Sequence, residues 1–302
     1  MLYEYAVDPS LLSDIHHCRT IFDNFKPERG KLIADVPRKW QQEAFRAINR
    51  MPSEQCRPVM RKTLKGHLDR LMKEALCSNR QTPQWDRKVE SWLAHALAAQ
   101  GAQPYAAILA ADTSREPVCT YALGDLFLSA PECWNALTEI AVPRTAQDIV
   151  EALMPLFRIS KQIMLIDRHL YPGEVRARRV LREIIRRVPE YNFGRGVSKI
   201  TLHVSDHRQD MQSSMVQHLL PHLPRGLEVA CCAWPKATEH DRFAVTDVGG
   251  IQLGAGFDER THDGTQQVLM SLIDNQQRRR LLATFSSEPT YRASIRSDSL
   301  GT

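Results

Sequence analysis

From about residue 158 to residue 285, short apolar runs alternate with amphipathic segments at helical spacing, a rhythm that demands an α/β sheet with helices packed on it. Gln162 to Ile166 reads as a strand ending at Asp167, Glu174 to Val188 as an arginine-rich helix, and Lys199 to Val204 as a second strand ending at Ser205 and Asp206. Asp210 to Leu220 is then helical and Leu227 to Trp234 a third strand. His240 to Thr246 and Ile251 to Leu253 form two more strands around the turn at Gly249 and Gly250. Val268 to Ile273 is a last strand, and Asp274 an N-cap for a closing helix through about Ala283. Ser286 to Thr302 has few large apolar residues and is expected to be a flexible tail.

The first 157 residues have a different texture, mixed α/β and mostly helical. Trp40 to about Asn79 has helical spacing broken by Pro52 and Pro58, which predicts two helices. In the second, Arg61, Lys62, Lys65, Arg70 and Lys73 alternate with Leu64, Leu68, Leu71 and Met72, so one side of an amphipathic rod is basic. That side is either a solvated face or a surface for phosphates or a partner. Trp85 to Ala99 is a third helix, Tyr105 to Ala111 a strand ending at Asp112, and Ala146 to Met154 a helix that Thr145 caps and Pro155 ends. The predicted division is a helix-rich region over 1–157, an α/β domain over 158–285 and a tail over 286–302.

A hydrophobic content of 43% is what a packed core requires, and no apolar run approaches a bilayer span. Met1 to Asp8 carries acids where a secretory signal would be basic and then apolar, so the cytoplasm is the default expectation. The seven cysteines form no Cys-x-x-Cys pair, which predicts reduced thiols and no zinc site; no metal or cofactor is expected. The net charge of +5 admits a polyanionic partner without requiring one. Arg176, Arg178, Arg179, Arg182, Arg186 and Arg187 concentrate part of it on one helix, so Arg176, Arg179 and Arg186, together with Lys62 and Lys65, are candidate nucleic-acid contacts.

The sharpest motif is Glu239-His240-Asp241-Arg242-Phe243-Ala244-Val245-Thr246-Asp247, followed after six residues by Gly254-Ala255-Gly256-Phe257. In a strand, residues two apart share a face, so His240 and Arg242 can present an imidazole and a guanidinium to one phosphate. The spacing resembles the phospholipase D superfamily, whose signature is His-x-Lys-x4-Asp, then six residues, then Gly-Ser or Gly-Gly and an Asn. Arg242 replaces the lysine, and Ala255 and Phe257 stand where Ser and Asn are usual. The resemblance implies His240, Arg242 and Asp247 as a catalytic set, with His240 as nucleophile or acid, Arg242 as phosphate clamp and Asp247 orienting the pair. It also implies a phosphate cradle of Arg242, Gly254 and Gly256. Enzymes of that family generally use two such histidines, and only one motif is present, so the second His240 is expected from a homodimer. His169, His203 and His207 sit in no matching pattern.

His240, Asp241, Arg242, Gly254, Gly256 and Asp258 also match the similar phospholipase D-like C-terminal domain of eukaryotic MIT-domain proteins, which is regarded as non-catalytic and binds acidic lipid head groups. Related single-motif domains resemble parts of bacterial defence proteins. Two functional readings follow: a metal-independent phosphodiesterase or nuclease acting on nucleic acid, or a non-catalytic module that binds phosphate or a protein partner within a multi-protein system.

Overall fold

The computed structural model describes residues 1–77, 85–86, 90–111, 120–127, 132–189, 196–206, 210–235, 241–260 and 265–297. The chain is α/β throughout and divides into two compact units, Leu2–Leu137 and Thr138–Thr302. The second unit thus starts at Thr138, before the boundary at 157/158 expected from the sequence.

The first unit carries a sheet that the sequence reading did not contain. Strands β1 (Tyr3–Val7), β2 (Lys31–Ala34), β3 (Leu76–Cys77), β4 (Ala107–Leu109) and β5 (Thr120–Tyr121) are all parallel, in the order β3-β2-β1-β4-β5. Helix α1 (Ile15–Asn24) joins β1 to β2, and α2 (Trp40–Arg50) and α3 (Pro58–Ala75) join β2 to β3. Because these crossovers step in one direction along the sheet, right-handed connections place α1 and α3 on one face. The helix predicted over Trp85–Ala99 is α4 (Trp92–Ala102), and its start is set by Ser91, whose hydroxyl accepts the Ala94 amide at 3.1 Å. Trp40 anchors the core: fully buried, it donates its indole N–H to the Val7 carbonyl at 2.6 Å, and its own amide is capped by Asp35 at 2.9 Å.

The second unit is built on an eight-stranded mixed sheet in the order β13-β9-β8-β7-β10-β11-β12-β6. Its elements are β6 (Glu139–Pro143), α5 (Ala146–Arg158), β7 (Gln162–Ile166), α6 (Val175–Arg187), β8 (Lys199–Ser205), α7 (Met211–His218) and β9 (Glu228–Trp234), followed by β10 (Phe243–Thr246), β11 (Gly250–Leu253), β12 (Gln267–Leu272), α8 (Asn275–Thr284) and β13 (Tyr291–Arg296). Strands β7, β8 and β9 are parallel; β10, β11, β12 and β6 continue antiparallel from β7, and β13 lies antiparallel on β9. Alternation sends Ile166, Cys232, Phe243 and Val245 to a core shared with Leu281 and Phe285 at α8. It leaves Ile163 and Leu165 on the other face.

Two expectations fail here for local reasons. Pro155 does not end α5; the helix runs on to Arg158 because Leu156 and Phe157 are fully buried, and that burial outweighs one missing amide donor. The expected tail is also not wholly loose, since Tyr291–Arg296 pairs with Glu228–Ala233 of β9 and buries Ala293 and Ile295. Small apolar residues alternating with polar ones suit an edge strand but do not stand out in sequence.

Candidate phosphate pocket at the carboxyl edge of the sheet

The parallel strands of the second unit end where β10 begins, so the turn after β7, the start of β10 and the loop after β11 meet at one sheet edge. Asp167 follows β7 and is 4% exposed. Its Oδ1 accepts the His169 amide at 2.9 Å, and its Oδ2 accepts the Phe257 amide at 3.2 Å. One carboxylate therefore ties two loops together. Between them, Gly256 has φ +92°, and a Cβ there would lie 2.6 Å from Asp167 Oδ2 and 3.6 Å from Arg242 Nε. Only glycine fits this conformation and this approach.

Arg242 stands one residue before β10. Its side chain is 27% exposed, with Nε 3.9 Å from Asp167 Oδ1. That separation is an ion pair but exceeds hydrogen-bond reach. Buried Nε has no hydrogen-bond partner, and no guanidinium N–H of Arg242 is bonded to another described residue. Asp167, already holding two amides, does not saturate it.

The loop Gly254–Asp258 is clamped from outside by Arg144, which follows β6. Arg144 donates to the carbonyls of Ala255 (2.6 Å) and Asp258 (3.1 Å) and pairs with the Asp258 carboxylate, whose other oxygen takes Arg260 Nε at 2.9 Å. Arg242, Asp167, Ala255, Phe257 and Asp258 line a cavity of about 360 Å³ together with Glu174, Arg176 and His169. Arg176, exposed at the start of α6, forms no ion pair with a described residue. Asp258 is held by Arg144 and Arg260, Asp167 lies beyond hydrogen-bond reach of Arg242, and Glu174 is the exposed acid of the lining, so Arg176 and Arg242 keep donors for an anion.

The other expected site residues fall elsewhere. His240 lies outside the described residues, as do His207 and Asp112. Asp247 is at the opposite end of β10 from Arg242, where its Oδ1 accepts the Lys161 amide at 2.8 Å and caps the start of β7. A five-residue separation along extended chain is about 16 Å, so Asp247 cannot orient Arg242. Gly254 commits its amide to the Leu269 carbonyl at 3.0 Å, continuing the ladder to β12, and is therefore no part of an amide cradle.

The arginine helix is also divided. Arg179 pairs with Glu259 at 3.0 Å, Arg186 with Glu183 at 2.6 Å and Arg187 with Glu151 at 2.5 Å, and Arg182 donates to the His218 carbonyl at 3.0 Å. Arg179 and Arg186 face a separate groove with Asp148 and Glu151. Of the α6 arginines expected to touch nucleic acid, only Arg176 reaches the Arg242 pocket. Lys62 and Lys65 belong to α3 in the first unit.

No family model matches the chain, and no curated protein matches its sequence.

His203 lies on the α8 side of the sheet and is 3% exposed. Its Nδ1 accepts the Trp234 indole N–H at 2.9 Å, and its ring centroid is 4.7 Å from that of Phe285. Burial, aided by the charge of Arg292, drives its pKa down to about 3. It is a neutral core histidine. Sequence reasoning missed Asp167 and Arg144 as pocket residues, although a strand ending on an acid was a usable sign of the first.

Proposed function

We propose that the second unit is a phospholipase D-like module that binds a phosphate group of nucleic acid in the pocket between Arg176 and Arg242. One observation carries the reading: the Arg242 guanidinium is partly buried, its buried Nε has no hydrogen-bond partner, and it faces a cavity that Gly256 keeps open. A buried donor left unsatisfied costs roughly 1–3 kcal/mol, and an anionic oxygen in bidentate contact recovers that cost. The placement of Asp247 at the far end of β10 favours binding over turnover, because the pocket lacks the carboxylate expected to orient the pair. Membership of a bacterial defence system and assembly as a homodimer extend the same proposal. Among the described residues, no helix is long and apolar enough to cross a membrane.

Titration of a labelled oligonucleotide, with inorganic phosphate as competitor, tests this directly. Saturable binding that Arg242→Ala and Arg176→Ala each weaken, and that phosphate displaces, supports the pocket. Binding indifferent to both substitutions overturns it. The same samples incubated in EDTA decide turnover: cleavage that disappears in His240→Ala makes the protein a phosphodiesterase, and light scattering reports the dimer.

A further inference from the structure

We infer that the groove between α1 and α3 in the first unit is a docking surface for an acidic amphipathic helix of a partner protein. The inference is independent of the Arg242 pocket.

The shape comes first. Met60, Thr63, Leu64, His67, Arg70 and Leu71 line one wall at the i, i+3, i+4, i+7 spacing of a single helix face. Ile15, Arg19 and Phe22 line the other from α1 at the same spacing. The space between is about 460 Å³, and the ring of Phe22 stacks on that of His67 at 5.8 Å, tying the walls together. Two parallel ridges of side chains with a groove between them are what a third helix packs into. The lined part of α3, Met60 to Glu74, is about 21 Å long at 1.5 Å per residue, matching a guest helix of about 14 residues.

Charge then selects the guest. Arg19, Lys26 and Arg70 line the groove and form no ion pair among the described residues, whereas Arg179, Arg186 and Arg187 of α6 are all paired with acids. Lys62, Lys65 and Lys73 on the same helix are likewise unpaired among the described residues, and the groove's two acids, Asp23 and the half-buried Glu74, leave its three cations in excess. Arg61 is the exception, donating to the Met51 carbonyl at 2.5 Å, which fixes the start of α3. Apolar surface argues against a bare polyanion: Met60 is 41% exposed and its neighbour Val59 80%. Phosphates would meet the cations but leave Met60 and Phe22 facing water, while a helix with an apolar stripe and flanking carboxylates meets both demands.

The test uses the full-length protein and fluorescent peptides of about 18 residues, long enough to be helical. One carries leucines at i, i+3, i+4 and i+7 with glutamates flanking; the second replaces glutamate by lysine; the third scrambles the first. The expected result is saturable binding of the glutamate peptide alone, weakened at least about tenfold by Met60→Glu and by Arg70→Glu and unchanged by Lys73→Glu, which lies outside the groove. Equal binding of the lysine or scrambled peptide overturns the proposal, as does no binding of any peptide. Displacement of the glutamate peptide by a single-stranded oligonucleotide, with the same sensitivity to Arg70→Glu, assigns the surface to nucleic acid instead.

Discussion

Gly256 lies so close to Asp167 that a side chain on the glycine would begin 2.6 Å from the carboxylate oxygen that holds the Phe257 amide. Backbone conformation, loop attachment and the space beside Arg242 are thereby fixed at one point. Gly256→Ala must adopt φ +92° and also push Asp167 away. We expect a loss of about 1–3 kcal/mol in chemical denaturation and weaker phosphate binding in the residual folded fraction.

Arg144 is expected to matter for stability although it lies outside the motif. Its guanidinium joins the end of β6 to two carbonyls and a carboxylate of the β11–β12 loop. Arg144→Ala should cost about 2–4 kcal/mol, because it leaves Asp258 and two half-buried carbonyls short of donors. A urea midpoint within error of the wild type would refute this.

Asp247→Ala separates the two ends of β10. It removes the cap on the Lys161 amide, which should lower stability by about 1 kcal/mol, and it should leave the phosphate affinity of the Arg242 pocket unchanged. A large loss of affinity with intact stability would place Asp247 back in the site.

His203 gives a pH prediction. Its folded pKa, driven down to about 3 by burial, lies below the ordinary unfolded value of 6.5. The unfolded chain therefore binds the extra proton between these values, and folding stability falls as pH drops from about 6.5 towards 3. The contribution is on the order of a few kcal/mol and is fully present above about pH 6.5. His203→Gln keeps an acceptor for Trp234 but does not titrate, so its stability should depend less steeply on pH in that window. Identical slopes in the two proteins would remove His203 from the account.

The sequence disclosed the second unit far better than the first. β7 is read to the residue and β8 and β9 to within one, because parallel strands covered on both faces are continuous apolar runs. In the first unit β3 and β5 have two residues each, too few to show any period, so only the β4 run at Tyr105–Ala111 and the helices from Trp40 onward were legible. Within the pocket, motif spacing singled out Arg242 and Gly256, which lie close in the chain. It placed Asp247 wrongly, since equal spacing along a strand says which face a residue takes and not which end of the sheet it serves. Asp167 and Arg144 reach the pocket from β7 and β6, and only the sheet order brings them there.

The eight-stranded sheet has its chain-terminal strands at its rims: β6 opens the second unit and lies outside β12, and β13 closes it and lies outside β9. A fragment cut at residues 158 and 285 would lack both. Its new outer strands would present open rows of amide and carbonyl groups, a template for strand addition between molecules. Such a truncation should self-associate, whereas one spanning Thr138 to Arg296 keeps β9 and β12 covered by their native neighbours.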